Sequence, residues 1–84
     1  MTKEELKTKI ESLNKQLPKW LRLQCEIGFD YVSNSRVYDA YFEYCNTAGA
    51  WCIFHVLGFL YSKEAVLLAA ENWLKVQNIK YYER

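Results

Sequence analysis

The sequence predicts a two-layer α+β domain, two helices covering a three-stranded antiparallel meander in the order α-β-β-β-α. Three observations carry this. Apolar residues recur at helical spacing near both ends of the chain, three segments between them alternate with period two or run apolar, and short polar turns join those segments. At 84 residues there is room for one domain, residues 1–84, and no second.

Thr2-Lys3-Glu4-Glu5 forms a capping box that opens the first helix, with the Thr2 side chain accepting from the Glu5 N–H. Leu6, Ile10, Leu13 and Leu17 then make a narrow apolar stripe, and Pro18 ends the helix, predicted over 3–17. Residues 20–29 switch to period two, with Leu21, Leu23, Cys25, Ile27 and Phe29 on one side. Asp30–Arg36 reads as a polar loop turning at Ser33-Asn34-Ser35. Residues 37–45 place Tyr38, Ala40, Phe42 and Tyr44 opposite Val37, Asp39, Tyr41 and Glu43. Asn46–Gly49 is a turn in which Gly49 takes positive φ.

Residues 50–60 form a third strand, apolar on both faces, with Trp51, Ile53, His55 and Leu57 opposite Cys52, Phe54 and Val56. Ser62 is the N-cap of a helix over 63–76. Its expected inner face is Ala65, Ala69, Trp73 and Val76, with Leu67 and Leu74 pointing away. Ile79–Tyr82 is a candidate short C-terminal strand.

The composition is that of a globular chain, 51% hydrophobic and 25% charged. A net charge of +1 excludes a polybasic nucleic-acid clamp. The aromatic load is high, with seven Tyr, four Phe and three Trp. Trp20, Phe29, Phe42, Trp51 or Phe54, and Trp73 are assigned to the core; the remaining rings are expected on a binding surface. The N-terminus is too charged for a signal peptide, and the apolar run Ala48–Leu60 is too short to span a bilayer. Three cysteines without a CxxC spacing point to reduced thiols and a cytoplasmic location.

Catalytic patterns are thin. His55 is the sole histidine, and no nucleophile–base spacing accompanies it. Cys45, Cys52 and His55 lack a fourth zinc ligand, and no glycine loop for a nucleotide occurs. Asp39 and Glu43 share a strand face but stand about 13 Å apart, too far for joint acid–base work. The expectation is a non-enzymatic chain with no cofactor, no metal and no small-molecule substrate.

Ser62-Lys63-Glu64-Ala65-Val66-Leu67-Leu68-Ala69-Ala70, followed by Trp73-Leu74, resembles the second helix of the double-stranded RNA-binding domain family. That family opens the helix with Lys-Lys-x-Ala-Lys-x-x-Ala-Ala and continues x-x-Ala-Leu. Leu17-Pro18-Lys19-Trp20 is similar to the family's Pro-x-Tyr lead into its first strand. The topology matches over about residues 3–76, the motifs over far fewer. The resemblance implies a face that reads A-form duplex by shape through phosphate and 2′-OH contacts. It places Lys15, Asn34, Arg36 and Lys63 as the RNA-binding candidates. Of the family's three phosphate-contacting lysines Lys63 alone matches, Ser62 and Val66 standing in the other two places. The loop 30–36 lacks the family's Gly-Pro-x-His. The chain therefore resembles a degenerate member that serves protein association.

Charge divides unevenly along the chain. Residues 1–22 carry six basic and three acidic side chains, whereas residues 23–61 carry Arg36 against Glu26, Asp30, Asp39 and Glu43. Tyrosines cluster at protein interfaces because a rigid ring buries area at low entropy cost. Tyr41, Phe54, Val56, Leu67, Leu74, Tyr81 and Tyr82 are the protein-interface candidates. The function expected is a small binding module acting by protein–protein association or homodimerisation through strand three and helix two, with weak structured-RNA binding. Two alternatives stand beside it: a true double-stranded RNA binder, and an inhibitor of the phage or mobile-element type that blocks a host nucleic-acid-processing or defence complex.

Overall fold

The computed structural model describes residues 1–79. Its order is α1 (Lys3–Gln16), β1 (Leu21–Asp30), β2 (Ser35–Cys45), β3 (Trp51–Leu60) and α2 (Lys63–Val76). The strands form one antiparallel sheet in the order β1-β2-β3, as the alternation predicts. Both helices start on their predicted caps. Thr2 Oγ1 accepts from Glu5 N–H at 3.1 Å, and Ser62 Oγ from Ala65 N–H at 3.1 Å.

Both turns are built by an asparagine or aspartate side chain replacing backbone partners. Asp30 accepts from the Val32 N–H and the Ser33 hydroxyl, while Asn34 takes a left-handed φ of 55°. Asn46 Oδ1 accepts from the N–H groups of Ala48 and Ala50, and Gly49 supplies the positive φ.

The helices lie on one face of the sheet. α1 and α2 run side by side, both starting near Tyr38 and both ending near Leu21. Leu6 and Val66 meet Tyr38 and Ala40 at one end; Leu13, Leu17, Ala70 and Leu74 meet Leu21, Leu23 and Phe42 at the other. The inner face of α2 differs from the sequence expectation. Val66, Ala70 and Leu74 are buried, and Val76 is largely exposed. Turning Val66 and Leu74 inward hides more apolar area than Ala65 and Ala69 would, and Ala70 lets the backbone approach the sheet. Leu74, an interface candidate, is thus core at 0% exposure, and Leu67 is half-buried against the Leu6–Tyr38 cluster. Trp20 and Phe29, assigned to the core, are exposed; Trp20 immediately precedes β1 and Phe29 is its last residue but one.

β3 also departs from simple alternation. Its register to β2 slips twice, pairing Phe42 with His55 but Glu43 with Ile53, and Ala40 with Gly58 but Tyr41 with Val56. Two bulges therefore turn Phe54 with His55, and Leu57 with Gly58, toward the helices. Gly58, at φ 104°, is the residue that this backbone requires. The outward residues of β3 become Trp51, Ile53, Val56 and Phe59. The bulges separate Phe54 from Val56: Phe54 packs on Trp20, Tyr44 and Trp73 on the helix side, and Val56 faces the other way.

One strong polar contact ties α1 to the free edge of β1. Asn14 Oδ1 accepts from Leu23 N–H at 2.7 Å, and Asn14 Nδ2 donates to the Leu23 carbonyl at 3.0 Å. The amide thus acts as a one-residue surrogate strand and blocks that edge from pairing elsewhere. Asn14→Ala is expected to cost about 1–3 kcal/mol by leaving both Leu23 groups unpaired, measured as a lower urea midpoint at unchanged slope.

Candidate functional site: the uncovered face of the sheet

Both helices sit on the Tyr38–Phe42 side, so among the described residues no element covers the opposite face. Arg22, Gln24, Glu26 and Gly28 of β1 line it, beside Val37, Asp39, Tyr41 and Glu43 of β2 and Ile53, Val56 and Phe59 of β3. The β3 row is strongly apolar and open, with Ile53 61%, Val56 54% and Phe59 71% exposed. Tyr61 follows directly and is exposed as well. Apolar exposure of this kind is costly in water.

Charge on this face is one-sided. Glu26, Asp30, Asp39 and Glu43 stand against a single guanidinium, Arg22. Arg22 is committed. Its Nε donates to Glu43 Oε1 at 2.9 Å, and its guanidinium lies 4.0 Å from the centre of the Trp51 ring. Glu26 and Asp39 are direct cross-strand neighbours, and among the described residues neither forms an ion pair. Their field is felt nearby. The Tyr41 hydroxyl donates to Glu26 Oε1 at 3.2 Å and is pushed up from its ordinary pKa by desolvation, that bond and the surrounding carboxylates. The Cys25 thiol is raised by burial first, then by Asp39 and Glu26. Both groups stay protonated at neutral pH. Asp30 moves the other way: the Ser33 hydroxyl and then the Val32 N–H stabilise its charged form.

The basic candidates lie elsewhere. Lys63 sits beside the Tyr38 ring, 5.4 Å from its centre, and Arg36 is two residues before Tyr38 on the same side of β2. Asn34 shapes the adjoining turn through its positive φ. Lys15 is in the last turn of α1, at its opposite end. The structure therefore gathers Asn34, Arg36 and Lys63 and leaves Lys15 apart. Val66, which stands where the family resemblance has a lysine, is fully buried and offers nothing to a phosphate.

Among the protein-interface candidates, Val56 and Tyr41 are cross-strand neighbours on the uncovered face. Tyr81 and Tyr82 lie outside the described residues, as does the candidate strand beyond Ile79; Ile79 itself is in no strand, and its N–H donates to the Leu74 carbonyl. The alternation reading misses Ile53 and Phe59 as partners of Val56, because a row spaced two, three and three residues apart has no period-two signature. The glycine at position 58, inside an otherwise bulky strand, is the signal that marks such a bulge.

Cys45 pairs with Trp51 in the ladder and Cys52 with Tyr44, so the two thiols fall on opposite faces of the sheet. His55 stacks on Trp73 with ring centres 5.0 Å apart. Among the described residues no group of three His, Cys, Asp or Glu is placed to hold a metal ion, and no helix is long and apolar enough to cross a membrane. No family model, curated protein or solved structure matches the chain.

Proposed function

We propose that this chain is a small binding module, with a fold like that of the double-stranded RNA-binding domain, that docks a protein through the uncovered face of its sheet. The observation that carries the reading is the row Ile53, Val56 and Phe59, exposed beside Tyr41 on the face that the helices leave bare. The acidity of the same face favours protein over nucleic acid, since phosphates would meet Glu26, Asp30 and Asp39, the carboxylates that Arg22 does not pair. Helix two contributes less than its sequence suggests: Leu74 is core, and α2 covers the other side of the sheet. An inhibitor that occupies a host complex fits this reading, because occupying a surface needs no catalytic group.

A photo-crosslinking side chain placed at position 56 is expected to capture a protein, with or without RNase. The same group at Glu71, exposed on α2, is expected to capture none. Capture from Glu71 alone, or capture lost with RNase, would contradict the reading. Weak binding of structured RNA is the second reading, favoured by Arg36 and Lys63 flanking Tyr38. It requires a salt-sensitive, saturable response to a short RNA duplex that Lys63→Glu reduces.

A further inference from the structure

The uncovered face is not uniform, and its most unusual position is Gly28. A glycine inside a strand weakens it and is usually explained by a left-handed backbone or by a close neighbour. Neither explanation applies. Among the described glycines only Gly49 and Gly58 have positive φ, and a Cβ built on Gly28 would meet no atom within 4 Å. Nothing within the described chain calls for the missing side chain, which leaves an open groove of about 470 Å³.

The walls of that groove are of two kinds. Glu26, Asp39 and Asp30 supply carboxylates; Phe59 and Tyr61 supply rings. Glu26 and Asp39 oppose each other across β1 and β2, an arrangement of like charges that destabilises a sheet. Among the described residues no cation relieves it. Carboxylates beside exposed ring faces complement a cation, and a planar one best. A guanidinium donates two parallel hydrogen bonds to a carboxylate while its face stacks on an aromatic ring, which an ammonium cannot do. Arg22 already shows a single-bond version of this pairing on the same face: its Nε donates to Glu43 while its guanidinium lies over the Trp51 ring.

We infer that the groove at Gly28 receives an arginine side chain presented by the docked protein. The inference rests on the reading of this face as a protein-docking surface and names the chemistry its partner carries. The arginine relieves the repulsion between Glu26 and Asp39 and lies over the space that Gly28 leaves open, while the Ile53–Val56 row buries the apolar remainder of the partner.

A capped tri-arginine peptide, titrated at low salt into the ¹⁵N-labelled chain, tests this. Saturable amide shifts are expected on residues 26–30, 37–39 and 59–61. A capped tri-lysine peptide is expected to bind at least about threefold more weakly, for want of the planar fork. Asp39→Asn and Gly28→Val are each expected to weaken tri-arginine about tenfold, the equivalent of one charged hydrogen bond. Gly28→Val is suited to the purpose because valine favours strands and its side chain enters open space.

Non-saturating shifts spread equally over Glu4, Glu5 and Glu11, or equal affinity for both peptides, would overturn the assignment. So would undiminished binding by a folded Gly28→Val protein. The same residues shifting as the chain's own concentration rises would place a second copy in the groove and also overturn it. Failure of tri-arginine with capture from position 56 intact removes the groove assignment and leaves the docking surface. Groove binding without such capture does the reverse.

Discussion

Leu74→Glu is expected to abolish folding at 25 °C. Leu74 has no exposed surface and packs among Leu21, Leu23 and Phe42, where α2 meets the sheet. Truncating such a leucine costs about 2–5 kcal/mol. A carboxylate there adds the penalty of a buried, unpaired charge. A domain of this length has about 4–12 kcal/mol of stability in all. Val76→Glu, two residues along the same helix but largely exposed, is expected to change stability by less than about 0.5 kcal/mol. Circular dichroism separates the two outcomes. A folded Leu74→Glu protein with reduced solution mass would instead make this leucine an interface residue.

Phe42→Ala is expected to cost about 3–5 kcal/mol. The ring is fully buried at the centre of β2 and stacks on Trp73 at a centroid distance of 4.4 Å. Its loss empties the space between sheet and α2 and removes the partner on which Trp73 rests. Trp73 in turn carries His55 on its face and Phe54 against its edge. Urea unfolding followed by far-ultraviolet circular dichroism gives the stability change. Trp73 emission is expected to shift to the red in the folded variant as water reaches the indole. A cost below about 1 kcal/mol would mean that the site collapses onto the cavity, contrary to the close packing seen.

Much of this architecture is legible in the residues. The caps at Thr2 and Ser62, the stop at Pro18, the turn at Gly49 and the alternation of β2 each follow from local chemistry, and each lies where that chemistry puts it. The inner face of α2 was not legible, because a helix rich in Ala and Leu has several apolar faces. Only the sheet beneath it selects Val66, Ala70 and Leu74. The two bulges of β3 were hidden by composition: in a strand apolar throughout, slipping one residue exchanges one apolar side chain for another and leaves no pattern. That slip decides which residues of β3 face solvent, so the candidate site was only half visible. Val56 and Tyr41 could be singled out; Ile53 and Phe59 emerge only from the register. Asn14 carried no signal at all, since an asparagine facing a strand edge reads as an ordinary helix surface residue.

The proposed docking surface is tested with the protein that cross-links from position 56, purified and titrated calorimetrically. Val56→Asp, folded by circular dichroism, is expected to weaken binding at least about tenfold, or roughly 1.4 kcal/mol. Lys63→Glu, on the other side of the sheet, is expected to change it by less than about threefold. The reverse pattern, with Lys63→Glu disabling and Val56→Asp harmless, would contradict the account and move the functional surface to the Tyr38 end of the helices.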